Sequence, residues 1–374
     1  MNIHPYSTWL EIDLSAIRDN VNRIAEIAGT PVMAVVKANG YGHGALAVAR
    51  AAVQAGAAWC GVARIEEALR LREGGIHARL LVLGYTPPAR LPEAIANDIT
   101  LTVYDTAVTT DYAAAAVTAG GTVRLHIKVD TGMGRLGLPP EDVPAFFAEF
   151  QNMRGVEIEG VYTHFARGDE PEEAATPRQI ARFKVLLTSL DAAGLRPSIV
   201  HAANSAGALF FPEARFDLVR AGIALYGLDP APEARLPSGF RPALSWKARL
   251  ASKKLLPAGQ GISYGHAYHT QAEEWIGVVP VGYADGFRRV SGNAVILAGR
   301  RVPVVGRVTM DQAMVRLDDV PQAEIGSEVV IIGGQGGAAI TAGDLAEMWG
   351  TISYEVVCGL AERLPRIYID GDEQ

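Results

Sequence analysis

Eight short apolar runs alternate with helical stretches up to residue 227, and this alternation constrains the fold more than any other feature of the chain. The runs are apolar at nearly every position, which is typical of strands that are buried on both faces of a parallel sheet. In chain order they read PVMAVV, WCGVA, ARLLVLG, TLTVYD, VRLHIKV, VEIEGVYTHF, SIVHA and DLVRAGIALYG. Eight strand–helix units over roughly 200 to 250 residues predict an α/β fold with a closed (β/α)8 barrel of the TIM type. A doubly wound open sheet is the alternative.

The pattern changes beyond this region. Four prolines interrupt it between Pro230 and Pro242, and short runs punctuated by glycine then follow one another closely, as in AVILAG and SEVVIIGG. Such spacing is typical of a compact β domain. We therefore predict a barrel over 10–237 and a predominantly β C-terminal domain over 238–374, on which residues 1–9 can also pack.

Composition limits the classes of partner. The chain has 374 residues, a formal charge of -7 and no cluster of basic residues, which argues against a nucleic-acid or membrane surface. Its two cysteines, Cys60 and Cys358, form neither a disulfide framework nor a metal-binding spacing. No signal sequence or membrane-spanning run is evident. We expect a cytoplasmic protein that acts on a small molecule.

Ionisable residues follow five of the predicted strands. Because the C-terminal ends of barrel strands face one mouth, where chemistry is usually built, these side chains are expected to converge. Taken singly, a lysine after a strand is usually solvated, a histidine is usually a hydrogen-bonded core residue, and an arginine is usually an ion-pair partner. Their convergence favours a catalytic site. The candidates are Lys37, Lys128, Asp130, His164, His201 and Arg220.

Glycine-rich segments surround the same strand ends. The run AVVKANGYGHG places Lys37 before a turn in which the backbone can approach a ligand closely. ANSAG and RAGI follow the last two strands, where barrels commonly bind a phosphate group. None of these segments is a nucleotide fingerprint. A lysine amine beside a phosphate site favours pyridoxal phosphate held as a Schiff base.

Nine segments, spread over both predicted domains, together resemble the alanine racemase family. They are AVVKANGYGHG, KVDTGMGRLG, YTHF, HAANSA, VRAGIALYG, GISYGHAY, VGYADGF, MDQ and ISYEVVC. The resemblance covers essentially the whole chain, from WLEIDLSAI to LPRIYI. It implies a homodimer with shared active sites that interconverts L-alanine and D-alanine by two-base proton abstraction on a pyridoxal-phosphate aldimine. It also implies a role in supplying D-alanine for peptidoglycan.

The resemblance assigns the central roles residue by residue. Lys37 matches the lysine that holds the coenzyme and serves as the base for D-alanine. Tyr264 matches the opposing base for L-alanine, which the partner subunit donates. Arg220 matches the residue that faces the pyridine nitrogen, supported by His201, and His164 lies beside the ring. A guanidinium cannot give up its proton there, so the ring stays neutral and withdraws fewer electrons than it would opposite a carboxylate.

The remaining site residues are also carried over from the family motifs. The phosphate site comprises Tyr41, Ser205, Gly222, Ile223 and Tyr354. The substrate carboxylate is expected at Arg135 and Met310. Supporting positions are Lys128, which is carbamylated in many members and steadies Arg135, together with Asp311 and the entrance residue Tyr283. No metal is expected.

Three alternatives remain open at the level of sequence. A metal-dependent hydrolase on the same barrel would use a carbamylated Lys128 with His164, His201 and Asp130, but Arg220 stands where it would need an aspartate. A non-catalytic pyridoxal-phosphate carrier would not need the second domain. A broad-specificity or serine racemase would share the same residues, although such relatives tend to carry an export signal.

Overall fold

The structure, a computed structural model, describes residues 5–370. These residues form two compact units. One unit is Ala16–Arg241, and the other combines the chain up to Ser15 with the chain from Pro242 onward. The described chain begins with strand β1 (Thr8–Asp13) and helix α1 (Leu14–Ala28).

Eight parallel strands form the sheet of the first unit, and each coincides with one of the predicted apolar runs. Strand β2 pairs with both β3 and β9, and the order then runs in sequence to β8. Asp217 N–H donates to Val200 O at 3.0 Å and Arg220 N–H donates to Ala203 O at 2.9 Å, which joins the two ends of the sheet. The predicted (β/α)8 barrel is therefore confirmed. Its strands are β2 (Val32–Val35), β3 (Trp59–Val62), β4 (Arg79–Val82), β5 (Ile99–Val103), β6 (Val123–Lys128), β7 (Val156–Tyr162), β8 (Ile199–His201) and β9 (Val219–Ala221).

Helices separate these strands along the chain. Helix α1 is amphipathic and buries Ile17, Val21 and Ile24, which lie three or four residues apart on one face. The eighth strand–helix repeat of the barrel is short, because β9 is followed by a 3-10 turn over Ile223–Tyr226. The other helices are α2 (Lys37–Tyr41), α3 (Ala45–Gln54), α4 (Ile65–Glu73), α5 (Leu91–Ala96), α6 (Thr106–Thr118), α7 (Val143–Phe150), α8 (Ala175–Ala192) and α9 (Ser205–Phe210).

The second unit is predominantly β, as predicted. Its large sheet runs in the order β11-β14-β17-β16-β15-β18-β10-β1-β20, with β19 beside β18 and a separate hairpin of β12 and β13. Helices α10 (Ala342–Trp349) and α11 (Ser353–Cys358) follow β19 along the chain. The strands are β10 (Leu244–Arg249), β11 (Ser252–Leu256), β12 (Gly261–Ile262), β13 (Tyr268–His269), β14 (Glu274–Val279), β15 (Ala294–Leu297), β16 (Arg300–Val305), β17 (Ala313–Arg316), β18 (Glu328–Gln335), β19 (Ala338–Ile340) and β20 (Arg366–Ile369).

The division between the units differs slightly from the predicted bounds of 10–237 and 238–374. Strand β1 pairs antiparallel with β10 and parallel with β20, so it belongs to the sheet of the second unit through Asp13. The chain enters the first unit at Ala16 and leaves it at Arg241. Of the segment expected to pack on the β domain, residues 1–4 lie outside the described residues.

Within the part of the chain that the structure describes, no helix is both long enough and apolar enough to cross a membrane.

Candidate active site at the barrel mouth

The C-terminal ends of the barrel strands bring several of the predicted ionisable residues together. Lys128 and His201 are the last residues of β6 and β8, and Arg220 lies in β9. The Arg220 guanidinium contacts His201 Nδ1 at 2.9 Å and His164 Nδ1 at 3.1 Å. Lys37 follows β2 by two residues, and its charge is close enough to affect His164. Five candidates from five strands therefore share one mouth.

Arg220 is held in place at this mouth by several hydrogen bonds. Its side chain is buried, and one of its nitrogens donates to the carbonyl oxygens of Thr163 at 2.8 Å and Ala202 at 2.9 Å. Burial lowers the pKa of Arg220 to about 10, so the guanidinium remains charged at neutral pH. A fixed cation therefore lies at the C-terminal end of the barrel.

His164 shows how strongly positive this environment is. Burial first, and then the charges of Arg220, Lys128, Arg135 and Lys37, hold the pKa of His164 well below its usual value. The imidazole is therefore neutral and turns a lone pair towards Arg220, which can only donate. Basic side chains from four residues around one neutral histidine fit a ligand that carries negative charge.

Lys128 and Asp130 have different surroundings. Lys128 Nζ donates to Val129 O at 2.9 Å, and burial together with Arg220 lowers the pKa of Lys128 to about 7. Among the residues from 5 to 370, no group of three or more His, Cys, Asp or Glu side chains is placed to hold a metal ion.

Asp130 shapes the loop that carries Arg135. Its carboxylate accepts the backbone N–H groups of Gly132 and Met133, each at 2.8 Å, and of Gly134 at 2.9 Å. Burial would raise the pKa of Asp130, but these backbone donors outweigh it and hold the pKa below its usual value. The carboxylate is thus committed to its own loop, while Arg135 is exposed.

The segment after Lys37 is a left-handed turn, which explains its unusual sequence. Ala38, Asn39 and Gly40 have φ values of 53°, 53° and 62°, and Tyr41 has a φ of 51°. A left-handed conformation costs a non-glycine residue roughly 1–2 kcal/mol. The turn is closed by Gly40 N–H on Val36 O at 2.8 Å. Strain of this kind persists only where the surroundings hold it, and it is commonest at functional sites.

Glu67 holds the turn and was missed in the sequence. One of its carboxylate oxygens accepts Ala38 N–H at 2.7 Å, and the other accepts Ala63 N–H at 2.7 Å and Arg64 N–H at 3.1 Å. The signal was present, because a glutamate at the third position of a helix commonly accepts backbone donors at its start. The donor from the neighbouring turn could not be read from this pattern.

The predicted phosphate residues of the barrel form a cradle. Ser205 Oγ accepts the backbone N–H groups of Gly222 at 2.9 Å and Ala224 at 3.3 Å, which leaves its hydroxyl proton to be donated. A Cβ on Gly222 would lie 2.7 Å from the Tyr41 hydroxyl oxygen, so only glycine fits there. Ile223 begins the 3-10 turn beside it. Two hydroxyl groups that lie close together beside a glycine suit an anion.

The other predicted residues lie in the second unit, where the loop over residues 307–312 contacts or carries most of them. Tyr264 is 69% exposed, Met310 54% and Tyr283 45%. Tyr283 N–H donates to Thr309 O at 3.0 Å, which ties the entrance residue to this loop. Ser263 has a φ of 64°, and its hydroxyl donates to Arg307 O at 2.7 Å, which connects the Tyr264 turn to the same loop.

Asp311 and Tyr354 complete the predicted set in this unit. Asp311 pairs with Arg363 at 2.7 Å, and Arg363 also contacts Asp285 at 2.7 Å. This network steadies the loop that carries Met310. Tyr354 lies in helix α11.

Comparisons with known proteins identify the family of the chain. The family described as Alanine racemase, N-terminal domain, matches residues 12–230, and the family described as Alanine racemase, C-terminal domain, matches residues 243–368. The chain is 50% identical over 364 residues to an alanine racemase of Symbiobacterium thermophilum, covering 96% of this chain and 97% of the relative. It is 45% identical to an alanine racemase of Desulfovibrio desulfuricans, covering 97% and 98%.

Solved structures give the same result. The alanine racemase of the D-cycloserine producer Streptomyces lavendulae superposes with a TM-score of 0.93 at 42% identity, over 99% of both chains. The alanine racemase of Bacillus anthracis with bound L-Ala-P superposes with a TM-score of 0.92 at 42% identity, over 99% of this chain and 97% of the other. The resemblance found in the sequence is thereby confirmed, and the chain belongs to the alanine racemase family of pyridoxal-phosphate-dependent isomerases.

Proposed function

We propose that this protein interconverts L-alanine and D-alanine with pyridoxal phosphate bound at the barrel mouth. The observation that carries the proposal is the concentration of positive charge around His164 at the barrel mouth, together with the cradle formed by Ser205, Gly222 and Tyr41. Both the coenzyme and an amino-acid substrate carry negative groups that this environment favours. The relative from Bacillus anthracis was solved with bound L-Ala-P, which supports a ligand of this kind.

The residues present fit the coenzyme. The cradle formed by Tyr41, Ser205, Gly222 and Ile223 would hold its phosphate, and we assign Tyr354 to the same group from the family motif. Lys37 would hold the coenzyme covalently through its ε-amine. The Arg220 guanidinium would face the ring nitrogen. When bound, pyridoxal phosphate supplies an electron-withdrawing ring that stabilises negative charge at the α-carbon of an amino acid.

The residues of the chain would then move one proton across the substrate. Lys37 removes or returns the α-proton on the D-alanine face, and Tyr264 does so on the opposite face, so the substrate need not turn over. Arg135 and Met310 would bind the substrate carboxylate, with Asp311 supporting the loop and Tyr283 at the entrance. The barrel unit would thus bind the coenzyme while the β unit contributes the second base.

Two further parts of the proposal concern assembly and biological role. Tyr264 is largely exposed within its own chain, which fits a residue that completes the site of a partner subunit in a homodimer. D-alanine made in this way would serve peptidoglycan synthesis. Serine or a broader set of small amino acids remains the alternative substrate class.

The proposal predicts a coupled optical and stereochemical result. Protein loaded with pyridoxal phosphate should absorb visible light, and borohydride should bleach this band and fix the coenzyme to the peptide that contains Lys37. The same preparation should convert either alanine enantiomer to the racemate. Its kcat/KM for serine should be at least about tenfold lower, because a site shaped for a methyl group discriminates against a larger side chain by about 1–3 kcal/mol. Chiral chromatography and peptide mass spectrometry measure both. A protein that binds the coenzyme yet leaves both enantiomers unchanged would contradict the proposal.

Lys128 is predicted to take up carbon dioxide. Its amine attacks CO₂ to form a carbamate and releases one proton, and this requires the neutral amine. Because the pKa of Lys128 is lowered to about 7, the neutral fraction rises as the pH passes upward through 7. At fixed dissolved ¹³CO₂, a carbamate ¹³C NMR signal should therefore grow between about pH 6 and 8.

A matched variant separates this site from the other amines. Lys128→Ala should lack the signal and lose about tenfold in kcat/KM, since a charged partner of Arg135 contributes about 1.5 kcal/mol or more. Lys184→Ala, at an exposed lysine of α8, should keep both. A carbamate signal that survives in Lys128→Ala would place the modification elsewhere.

A further inference from the structure

A chain of buried polar groups runs from the barrel mouth into its interior. Arg220 Nη1 contacts His201 Nδ1 at 2.9 Å, and His201 Nε2 contacts His126 Nδ1 at 2.8 Å. His126 Nε2 then lies 3.3 Å from Glu159 Oε1. His126 and His201 are completely buried, and Glu159 is only 8% exposed. The chain therefore links the cation of the mouth to a carboxylate deep in the barrel.

The two ends of this chain fix the protons between them. Arginine can only donate, so His201 Nδ1 must accept and its proton must be on Nε2. That proton is donated to His126 Nδ1. At the other end the Glu159 carboxylate can only accept, so it favours the His126 proton on Nε2, which faces it. Burial lowers the pKa of both histidines, so each carries a single ring proton at neutral pH. Only one proton arrangement satisfies every contact.

The backbone is adapted to bring Glu159 into this position. The register between β6 and β7 shifts at this point: Leu125 pairs with Ile158, whereas His126 pairs with Gly160. Glu159 is thus the extra residue of a β-bulge, a feature that commonly redirects a side chain. A Cβ on Gly160 would lie 2.6 Å from the His126 ring, so glycine is needed to admit the imidazole.

Neighbouring donors keep the Glu159 carboxylate ionised and oriented. Thr100 Oγ1 donates to Oε1 at 2.9 Å, and Arg79 donates to Oε2. Burial would raise the pKa of Glu159, but His126, Arg79 and Thr100 together lower it to about 2. The N–H of His126 is not aligned for a strong hydrogen bond, so the contact with Glu159 is that of a dipole with a charge.

We propose that Glu159 is a positioning residue that fixes the ring protons of His126 and His201, so that Arg220 always meets a lone pair and keeps its orientation towards the coenzyme ring. The row of contacts from Arg220 through His201 and His126 to Glu159 is present in the protein without coenzyme. Its role in catalysis rests on the proposed function. Glu159 touches neither coenzyme nor substrate in this scheme. It acts on the reaction only through the two histidines and Arg220.

The proton positions can be measured directly in the coenzyme-free protein. In ¹⁵N-histidine-labelled protein, long-range ¹H–¹⁵N NMR distinguishes a protonated ring nitrogen from one with a lone pair. We expect both His126 and His201 to carry the proton on Nε2, with assignments from His126→Gln and His201→Gln. A proton on Nδ1 of either ring in the unmodified protein would overturn the proposal, and this measurement does not require any Glu159 variant to fold.

Glu159→Gln should reverse the arrangement. Arg79 is an obligate donor, so the amide oxygen should turn towards it and the amide N–H₂ towards His126 Nε2. His126 should then carry its proton on Nδ1, and the bond to His201 should be lost or inverted. The control is Glu93→Gln, which removes an exposed carboxylate that pairs with Arg90 and does not contact either histidine. It should leave both rings unchanged.

Kinetics then test the link to catalysis. In the loaded protein, Glu159→Gln should lower kcat for alanine about tenfold and change KM less than about twofold, because a misplaced supporting group weakens interactions made in the transition state. Unchanged ring protons in Glu159→Gln, or changed protons with an unchanged kcat, would overturn the proposal. If the unmodified protein racemises alanine but lacks the expected ring protons on His126 and His201, the role of Glu159 is wrong and the proposed function stands. Expected protons in a protein that never racemises alanine defeat the proposed function alone.

Discussion

Lys37→Ala is expected to lower the rate of alanine racemisation by about 10³-fold or more, because it removes both the covalent anchor of the coenzyme and one of the two proton-transfer groups. The position of Lys37 supports this magnitude. The side chain is half-buried after β2, and a strained left-handed turn follows it. The measurement is the rate of enantiomer exchange with saturating pyridoxal phosphate. Borohydride should no longer attach the coenzyme to the chain.

Two further lysine variants separate charge from chemistry. Lys37→Arg keeps a cation at the mouth but lacks a nucleophilic amine, so it should be nearly as inactive as Lys37→Ala. Lys184→Ala removes an exposed lysine from the same unit and should retain full activity. Racemisation at the original rate in Lys37→Ala would end the scheme, and activity in Lys37→Arg would show that charge alone suffices.

The barrel could be predicted because its strands are buried on both faces. Such strands are apolar at almost every position, so each of the eight stands out against the helical periodicity on either side. The strands of the β unit are harder to predict from the sequence. Strand β11, with the sequence SKKLL, is half exposed and polar, and β10 alternates buried and partly exposed residues. The pairing of β1 with β10 joins residues more than 230 positions apart and left no local signal.

The site shows a similar division. Site residues that follow strands can be predicted from the sequence, since a barrel directs the C-terminal ends of its strands to one mouth. Glu159 and His126 lie within strands and were overlooked as ordinary strand residues. Their significance depends on a register shift and on ring–ring contacts between β6 and β8, which only three-dimensional coordinates show. Asp130, by contrast, is predicted from the sequence to face the mouth, but its carboxylate accepts hydrogen bonds from its own loop.

The electrostatics of the site explain why so many basic groups can share one mouth. Burial keeps His164 and His201 neutral, so they separate the cations without adding charge. Lys128 has a pKa lowered to about 7 and can lose its proton. Arg220 is held charged by the carbonyl oxygens and histidine lone pairs that accept from it. An anionic ligand would relieve the remaining repulsion, and we expect its binding to stabilise the fold.

Tyr264→Phe is expected to lower kcat for racemisation by about 10²- to 10⁴-fold, because the phenol is one of the two proton-transfer groups. The two enantiomers should then differ in hydrogen exchange. Lys37 remains on the D-alanine face, so D-alanine should still exchange its α-proton with D₂O, whereas L-alanine should not. Mass spectrometry with chiral separation measures both. Equal exchange of the two enantiomers would remove Tyr264 from its assigned role.

The same variant tests whether each site needs two chains. Tyr264→Phe and Lys37→Ala are each expected to be inactive, but a heterodimer of the two would contain one site with both native residues if Tyr264 acts in the partner. Random reassociation of equal amounts should restore roughly a quarter of the native sites. If Tyr264 acts within its own chain, every site in the mixture lacks one group and no activity returns. The mixture is reconstituted from separately purified variants that have been reversibly dissociated, so that complementation is distinguished from contamination. The control is the same mixture with Tyr283→Phe in place of Tyr264→Phe. This variant should be active before mixing, because an entrance residue is not an essential base.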